Sequence, residues 1–378
     1  GGHAPLGNPR EYFWQDEGLS FSPAPRLCFT GEATGVAMQV FDGHNDVLSR
    51  LWCAGGDPVE RFGRDEGHIN AVAARAGGFA GGLFALYSPN RRAAFDFRGF
   101  RGGAMPLSGA MEQPVALQSV MAEVGIAQRL QAAGLLRLCT DVAGIEAAMA
   151  AGRLAAVLHL EGAECLDPEL LVLDTLHALG LRSLGPVWSR PTIWGDGVPF
   201  GFGRDGDTGP GLTEDGRRLV ARCAELGIVV DTSHLTMKGF WDIAGMGLPM
   251  VATHSNAWDL CRATRNLTVP QLRAIGETRG MVGLNFATVF LTEGGWQSGK
   301  AGLDDCLRQL DALIEGAGED HVGLGSDFDG APLPQGMESC ADLPALVAAM
   351  QAHGYGAPLI EKLCHGNWLA FLRRTWGG

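Results

Sequence analysis

Lysine is scarce in this chain, which has 378 residues and 29 Lys and Arg together. Only Lys238, Lys300 and Lys362 are lysines, which excludes a polybasic tract of the kind that binds lipid headgroups. The 42 Asp and Glu bring the net charge to −13, so the basic surface that nucleic-acid binding requires is not expected. No run of about 18 apolar residues occurs, and no membrane span is predicted.

Paired cysteines and a recognisable leader are also missing. The nine cysteines are an odd number with no C-x-x-C pair, a pattern that favours reduced thiols and a cytoplasmic location. The first residues lack the basic and apolar regions of a signal peptide, which agrees with that location. The sequence begins at Gly1 and not at Met, so the earlier removal of a signal peptide is left as an alternative.

Apolar segments and amphipathic stretches alternate along the chain from about residue 36. Most of the apolar segments are nearly continuous, as expected for parallel strands that are buried on both faces. Eightfold alternation of strand and helix predicts an α/β fold, a (β/α)8 TIM barrel. The predicted strands are 37–43, 82–87, 154–160, 181–187, 227–232, 249–253, 280–286 and 321–326. The predicted helices include 114–134, 167–180, 213–227, 268–280, 303–318, 341–353 and 357–375.

The barrel is expected to form a single catalytic domain over residues 36–378, with the C-terminal helices included. Residues 1–35 are predicted to form an N-terminal arm. The segment 88–112 is rich in Gly and Arg and is predicted to be a long loop after the second strand, with a lid as one interpretation.

Six residues that can bind a metal or carry a proton stand where five of the predicted strands end. In a (β/α)8 barrel these ends converge on one face, where active sites lie, so residues far apart in sequence can meet. Three imidazoles and three carboxylates are typical of a hydrolytic site with two zinc ions. The segments are FDGHND (41–46), HLEGAE (159–164), DTSHL (231–235), ATHSN (252–256) and GLGSDFDG (323–330), and the residues are His44, Asp46, Glu161, His234, His254 and Asp327.

Metal binding is expected of the pair His44 and Asp46 and of Glu161, for different reasons. In H-x-D, residues i and i+2 of a strand point to the same side, so both side chains can reach one metal. Glu161 follows the apolar run AAVLHL, where a buried carboxylate needs a cation, and its two oxygens could bridge two ions. No lysine stands at a strand end, so a carboxylated lysine is not expected as the bridge. His159 is interpreted as a packed histidine beside the ligands.

Four aspartates have predicted catalytic or supporting roles. Asp327 leaves the eighth strand first and is predicted to be the acid/base that delivers a proton to a leaving amine. Asp329 is expected either to be structural or to support the metal ligands without binding the metal. Asp42 and Asp231 are candidates for orienting histidine ligands, with a turn or cap role as the alternative.

These motifs resemble the membrane (renal) dipeptidase family, peptidase family M19 of the amidohydrolase superfamily. DGHND matches its opening motif and HLEG its bridging-glutamate segment, and the two single-histidine strands and GSDFDG follow in order. The resemblance implies a barrel of the metal-dependent hydrolase type that cleaves short dipeptides, L-Xaa-D-Xaa included, with two Zn²⁺ per chain. It implies that His44 and Asp46 bind one zinc, that His234 and His254 bind the other, and that Glu161 and a hydroxide bridge them.

The resemblance, which covers about residues 36–375, extends to the substrate site. Arg265, in RATRNLT, matches an arginine that holds the C-terminal carboxylate of the substrate, a role that suits a forked guanidinium. At the end of the fourth strand many family members have a histidine, whereas this sequence has Trp188. Trp188 is therefore predicted to contact the substrate, and the donor to the oxyanion is left open among Arg190, Arg204 and a zinc ion.

Two other functions are compatible with the same residues. An N-acyl-amino-acid deacylase or another amidohydrolase would share Arg265 and the metals, and the departure at Trp188 keeps it in consideration. A catalytically silent metal-binding barrel is disfavoured by the complete ligand set together with Asp327. A small dipeptide is the expected partner, and a homodimer is common for this architecture, although the sequence identifies no interface.

Overall fold

The computed structural model describes residues 38–89, 104–105, 109–293 and 300–377, with the side chains of 104–105 excepted. The predicted N-terminal arm, residues 1–35, lies outside this part of the chain, and so do most residues of the predicted loop 88–112. The arm, the lid and the division into an arm and one catalytic domain therefore stay predictions.

Among the described residues, eight parallel strands form the barrel, each where the sequence predicts a strand. They are β1 (Val40–Asn45), β2 (Phe79–Tyr87), β5 (Leu154–Glu161), β6 (Leu181–Gly185), β8 (Val229–Val230), β9 (Val251–Ala252), β10 (Met281–Leu284) and β11 (Val322–Leu324). Outside this ring, β4 (Leu136–Leu138) pairs with the first half of β5, and β3 (Ala104–Met105) pairs antiparallel with β7 (Phe200–Gly201). The predicted (β/α)8 barrel is confirmed.

Isolated β-bridges, each joining one residue pair, close the strands into a ring. β1, β2, β5, β6 and β8 form one hydrogen-bonded path, and β9, β10 and β11 form another. One bridge joins the end of β8 to β9, and a second, from Asn45 to Phe328, joins β1 to the segment after β11. At that seam the Asp327 N–H donates to the His44 carbonyl oxygen over 3.0 Å. Closure of the ring therefore brings the motif of the first strand against that of the eighth.

Helices surround the ring, and several begin at polar caps as the sequence predicts. Thr213 accepts from the Gly216 N–H and Thr236 from the Gly239 N–H, which satisfies one of the unpaired donors at each helix start. Gly227, at φ 69°, ends the helix that follows Thr213, because glycine takes this left-handed conformation without strain. No described helix combines the length and apolar content that crossing a bilayer requires.

The helices in the described part of the chain are Val47–Ala54, Pro58–Gly63, Ala71–Gly77, Gln113–Ala132, Val142–Ala150, Leu171–Ala178, Glu214–Leu226, Met237–Ala244, Val269–Glu277, Thr288–Leu291, Leu303–Ala317, Leu343–His353, Ala357–Glu361 and Asn367–Trp376. A 3₁₀ turn covers Cys340–Asp342 and a π turn covers Lys362–Gly366.

The amino ends of the strands are filled by apolar side chains and by the last helix, Asn367–Trp376. Trp368 is fully buried there, and its Nε1–H donates to the Leu324 carbonyl oxygen over 2.9 Å. A Cβ on Gly43 would lie 2.5 Å from the Trp368 ring, so this close approach requires glycine in β1. Because apolar packing closes this end, the carboxyl ends of the strands are left to hold polar residues.

Candidate metal centre

All six predicted ligand and acid residues meet at the carboxyl ends of the strands. Five of them are buried and Asp327 is half-buried. Their side-chain donor atoms form three groups, and within each group all the atoms lie within 4.8 Å of one another. The groups are His44, Asp46 and Glu161; Glu161, His234 and His254; and His44, His254 and Asp327.

Glu161, the last residue of β5, is shared between the histidines. Its Oε1 lies 3.0 Å from His234 Nε2 and 3.5 Å from His254 Nε2. The same oxygen lies 3.6 Å from His44 Nε2. One carboxylate therefore faces imidazoles that follow or end three other strands. A carboxylate in this position can serve two cations at once, as in sites where two metals act together.

His44 is fully buried, and neither ring nitrogen has a hydrogen-bond partner among the described residues. Its Nε2 lies 3.5 Å from Asp46 Oδ2, and its ring stacks on that of His254 with 3.8 Å between centroids. Burial disfavours a charged imidazole, but Glu161, Asp46 and Asp327 outweigh this effect and raise the pKa of His44 to about 10. The cluster thus carries an excess of negative charge that a bound cation would neutralise.

Hydroxyl groups orient the other two histidines. Ser189 Oγ lies 2.9 Å from His234 Nδ1, and Thr253 Oγ1 lies 2.8 Å from His254 Nδ1. Burial lowers the pKa of both imidazoles well below the ordinary value, so both rings are neutral. When Nδ1 carries the proton and donates to the hydroxyl, Nε2 keeps a lone pair that faces Glu161.

Asp231 acts on one of these histidines through a hydroxyl, whereas Asp42 holds the seam of the barrel. The Thr253 Oγ1–H donates to Asp231 Oδ2 over 2.8 Å, which leaves the Thr253 oxygen to accept the Nδ1–H of His254. Asp42 accepts from the Ser326 N–H and Oγ–H, both over 2.7 Å, and ties β1 to the segment after β11. The expected orienting role is therefore indirect for Asp231, and Asp42 contributes to strand closure.

His159 lies beside the cluster as a packed residue. Its Nδ1 is 2.8 Å from Ser183 Oγ, and its ring meets that of His44 edge-on at 5.3 Å between centroids. Burial lowers the pKa of His159 to about 4, so the ring is neutral. It belongs to none of the three donor groups found among the described residues.

Asp327 has a left-handed backbone conformation, with φ 60°, which is uncommon for a residue other than glycine. The Asn285 Nδ2–H donates to its Oδ2 over 3.0 Å. A Cβ on Gly330 would lie 2.5 Å from Asp327 Oδ1 and would overlap the Asp46 carboxylate, so glycine is required there. Loss of hydration, with the charge of Asp46 in addition, raises the pKa of Asp327 to about 6. Such a carboxyl can accept and release a proton near neutral pH.

Asn285 was not predicted from the sequence. It follows β10, and its Oδ1 accepts from the Ala287 N–H over 2.6 Å. Its own N–H donates to Asn256 Oδ1 over 3.0 Å, so backbone and side chain are both fixed and the amide NH₂ faces Asp327. The signal in the sequence was a polar residue directly after a buried strand, on the face where the five motifs already converge.

Asp329 is structural, as expected. Its Oδ1 accepts from the His68 N–H over 2.7 Å, and the same oxygen lies 3.1 Å from Arg50 Nε. These contacts anchor the loop after β11 to the loop before the helix Ala71–Gly77 and keep Asp329 away from the three donor groups.

Arg265 is 3% exposed and lines a cavity that opens on the cluster. Its Nη2–H donates to the His254 carbonyl oxygen over 3.0 Å, and its Nη1–H donates to Ser255 Oγ over 3.2 Å. Its Nε has no hydrogen-bond partner among the described residues. The guanidinium is therefore fixed in the wall of the cavity and keeps one donor unpaired.

The cavity has a volume of about 340 Å³. Trp188 lines it, and its ring lies 5.8 Å from that of His234. Arg190 and Arg204, two of the suggested oxyanion donors, do not line it. Arg190 is buried in an ion pair in which its Nε lies 3.1 Å from Glu164 Oε1, and Arg204 is exposed. These two suggestions are wrong, and a bound cation is the remaining one.

Known proteins resemble this chain in both sequence and fold. Residues 32–375 match the model of one protein family, described as membrane dipeptidase (peptidase family M19). A metallo peptidase from Rhodobacter sphaeroides, solved with a phosphinate mimic of the dipeptide L-Ala-D-Ala, is 47% identical with a TM-score of 0.85. The dipeptidase AC, a metallo peptidase of family M19, is 48% identical with a TM-score of 0.84. Each match covers 90% of this chain and 100% of the other.

A more distant relative has a dipeptidase name. Dipeptidase tcpJ from Claviceps purpurea (strain 20.1) is 28% identical over 226 residues, which are 59% of this chain and 52% of that protein.

Proposed function

Because this chain belongs to the membrane dipeptidase family, peptidase family M19, and is a metallo-dipeptidase, we propose that it hydrolyses short dipeptides, L-Xaa-D-Xaa included, with two zinc ions per chain. The observation that carries the proposal is the position of Glu161, whose Oε1 lies between 3.0 and 3.6 Å from the Nε2 atoms of three histidines. A carboxylate shared among three histidines suits two cations better than one.

The donor set fits zinc. His44 and Asp46 would hold one ion, His234 and His254 the other, and Glu161 both. His234 and His254 are neutral and offer the lone pair that a zinc ligand needs. On His44, whose ring nitrogens have no hydrogen-bond partner among the described residues, a zinc ion would replace the proton that the neighbouring carboxylates retain. Bound in this way, two zinc ions supply a water acidic enough to attack at neutral pH and a Lewis acid for the scissile carbonyl.

Asp327 is the residue that moves the proton in this proposal. It lines the cavity beside the ligand cluster, where a carboxylate can take a proton from the attacking water and pass it to the departing amine. Asn285 occupies Oδ2 of Asp327, so Oδ1 is the oxygen that exchanges the proton.

Arg265 binds the free carboxylate of the substrate. Its guanidinium is fixed by carbonyl and hydroxyl acceptors, and its Nε–H is unpaired, so a carboxylate would satisfy a donor that is otherwise buried without a partner. A free carboxylate stands next to the scissile bond only where the last peptide bond is the one cleaved, so Arg265 selects that bond, and the restriction to dipeptides follows from the family. Trp188 contacts the same substrate from the neighbouring wall of the cavity.

A D residue at the C-terminal position belongs to the proposal because of one relative. The metallo peptidase from Rhodobacter sphaeroides, 47% identical to this chain, was solved with a phosphinate mimic of L-Ala-D-Ala. The level of identity supports the same class of ligand here.

Hydrolysis of a mixed substrate panel by the zinc-loaded protein tests the proposal. The panel contains L-Xaa-L-Xaa and L-Xaa-D-Xaa dipeptides and N-acyl-amino acids, each with a sample stripped of metal by a chelator as the control. We expect dipeptides to be cleaved, the chelator to abolish cleavage, and added zinc to restore it. Cleavage of the acyl compounds alone would reassign the protein to the deacylases, and metal binding without any cleavage would contradict an enzymatic role.

A further inference from the structure

The cavity above the cluster has two chemically different sides. One side is a continuous row of rings, here called the aromatic wall, made of Tyr87, Trp188, Phe200 and Phe290. Successive rings in this row lie 5.3, 5.5 and 5.8 Å apart between centroids. The other side is polar and consists of Asp46, Ser49, Arg50, Asp327 and Asp329.

The order of strands in the ring places Trp188 and Phe200 across from the polar side, whereas Tyr87 ends β2 and Phe290 follows β10, next to the polar strands. The polar residues follow β1 and β11, which are neighbours across the seam. Trp188 follows β6, and Phe200 lies between β6 and β8. In a closed ring of eight strands, β6 lies across from β11 and β8 across from β1. A substrate bound over the metal ligands therefore has Trp188 and Phe200 on one flank and carboxylates on the other.

Arg265 lies at one end of the aromatic wall. Its Cζ is 5.7 Å from the centre of the Phe290 ring, and Phe290 is next to Phe200. The carboxylate and the side chain of a C-terminal residue share one Cα, so a carboxylate bound by Arg265 brings that side chain to the aromatic wall. The N-terminal residue lies beyond the scissile bond and extends toward the polar side.

Among the described residues that line the cavity, the four members of the aromatic wall carry no charge. The cation behind it, Arg190, is fully buried and already paired with Glu164, with 3.1 Å between Nε and Oε1. Its Nη2 also donates to the Tyr87 hydroxyl over 3.1 Å and to the Ser88 carbonyl oxygen over 2.8 Å. A charged substrate side chain at this position would lose its hydration without gaining a counter-ion from the described part of the wall, whereas an apolar one gains by leaving water.

We propose that the aromatic wall is the specificity-determining surface for the C-terminal residue of the substrate and that it selects apolar side chains over charged ones. The inference rests on the proposed dipeptidase function and defines the substrate class more narrowly. Phe200 and Trp188 are the central residues of the wall, because their rings lie 6.3 and 5.8 Å from that of His234.

Arg190 is a positioning residue for this wall. Its Cζ lies 4.9 Å from the centre of the Trp188 ring and 5.5 Å from that of Tyr87, so it fixes two of the four rings from behind. A buried ion pair gains little stability over apolar packing, because both groups lose hydration. Retention of the Arg190–Glu164 pair here is explained by the alignment of Trp188 and Tyr87 along the cavity.

Two substrate series test the proposal in the zinc-loaded protein. In the first, L-Ala is followed by Gly, D-Ala, D-Leu, D-Phe, D-Asp or D-Lys; in the second, D-Ala is preceded by Gly, L-Leu, L-Asp or L-Lys. We expect kcat/KM for D-Leu and D-Phe to exceed that for D-Asp and D-Lys by at least about 10-fold, with a smaller spread in the second series. Equal rates for charged and apolar C-terminal residues would overturn the proposal.

Variants locate the effect. Phe200→Ala should raise KM for L-Ala-D-Leu by about 10-fold and change KM for L-Ala-Gly much less, since glycine has no side chain to contact the ring. Glu164→Gln should show the same KM pattern with kcat and bound zinc retained, as expected for loss of positioning alone. The control is Trp241→Ala, which removes an exposed ring on the helix Met237–Ala244 and should leave both constants unchanged.

The outcomes separate this inference from the function on which it rests. Wild-type selectivity in Phe200→Ala would overturn the role of the aromatic wall while leaving the dipeptidase function intact. If the wild-type protein hydrolysed none of the dipeptides, L-Ala-Gly included, the dipeptidase function itself would be overturned.

Discussion

Glu161 Oε1 lies 3.0 Å from His234 Nε2, although β6 separates their strands in the ring. Side chains from alternate strands meet inside a (β/α)8 barrel, and at the carboxyl ends of the strands they meet on the face where active sites lie. The fold thus assembles the cluster, hydroxyls set the tautomers of two histidines, and buried carboxylates supply the negative charge that attracts cations.

Replacement of Glu161 tests its shared position. Glu161→Gln keeps the size of the side chain but removes the charge and one anionic donor atom. We expect bound zinc to fall below two per chain and kcat/KM for dipeptides to fall by at least about 100-fold. Mutation of residues that only orient metal ligands already lowers metal affinity or activity by about 10- to 100-fold. Metal analysis of the dialysed protein and steady-state kinetics measure the two effects.

Glu123→Gln is the matched control for that change. Glu123 is buried, and its Oε2 accepts from the Tyr87 N–H over 2.7 Å. Burial raises the pKa of Glu123 well above its usual range, which favours the neutral form, and glutamine keeps the size and the acceptor of that form. Zinc content and activity should stay at wild-type levels; an equal loss in both variants would show that Glu161→Gln acts through folding.

Asp327→Asn separates proton transfer from metal binding. The amide keeps the shape of the carboxyl but cannot accept the proton, so kcat should fall by about 100- to 10,000-fold. Because the other five residues of the cluster are unchanged, zinc content should remain near two per chain. Activity close to wild type in a zinc-loaded sample would contradict the assignment of Asp327 as the acid/base.

Asn285→Ala removes the hydrogen bond to Asp327. That bond favours the ionised carboxylate and lowers the pKa of Asp327, so its loss should raise the pKa. Because the base must be ionised to accept a proton, the acidic limb of the profile of kcat/KM against pH should move to higher pH, and kcat should fall by about 10-fold. An unshifted profile would mean that Asn285 only supports the backbone.

The buried thiol of Cys223 is expected to lower the free energy of unfolding at alkaline pH. Burial raises the pKa of Cys223 from 9.0 to about 12. Between these values the unfolded chain has released the proton and the folded chain has not, so the free energy of unfolding should fall as pH rises above 9.0. Cys223 should account for about 1 kcal/mol of that loss between pH 8 and pH 10.

Urea unfolding with a reductant at both pH values measures this contribution. In Cys223→Ala the difference between pH 8 and pH 10 should shrink by about 1 kcal/mol, whereas Val220→Ala, which truncates a buried side chain in the same helix, should leave the difference unchanged. An identical pH dependence in the wild type and in Cys223→Ala would refute the prediction.

The barrel and the cluster could be predicted because both follow from patterns that the chain repeats. Continuous apolar segments alternate with helices, and the topology alone then requires that His44 and Asp327, at opposite ends of the sequence, meet at one seam. The strand limits were less predictable: β8 and β9 have two residues each, shorter than expected, since their outer residues pair through single bridges.

The supporting contacts could not be predicted, because they depend on side-chain direction. Asn285 has no metal-ligand character, and only the structure shows its amide facing Asp327. Arg190 follows the fourth barrel strand as a candidate donor would, but its pairing with Glu164 takes it out of the cavity. The cytoplasmic location and the homodimer stay predictions.

Titration of the metal-free protein with zinc, followed by bound metal and by hydrolysis of an L-Xaa-D-Xaa dipeptide in the same samples, tests the central claim most directly. Two equivalents of zinc should bind tightly, with dipeptide hydrolysis rising until the second equivalent is bound. Saturation at one equivalent with full activity, or two bound equivalents without hydrolysis, would contradict a dipeptidase in which Glu161 bridges two zinc ions.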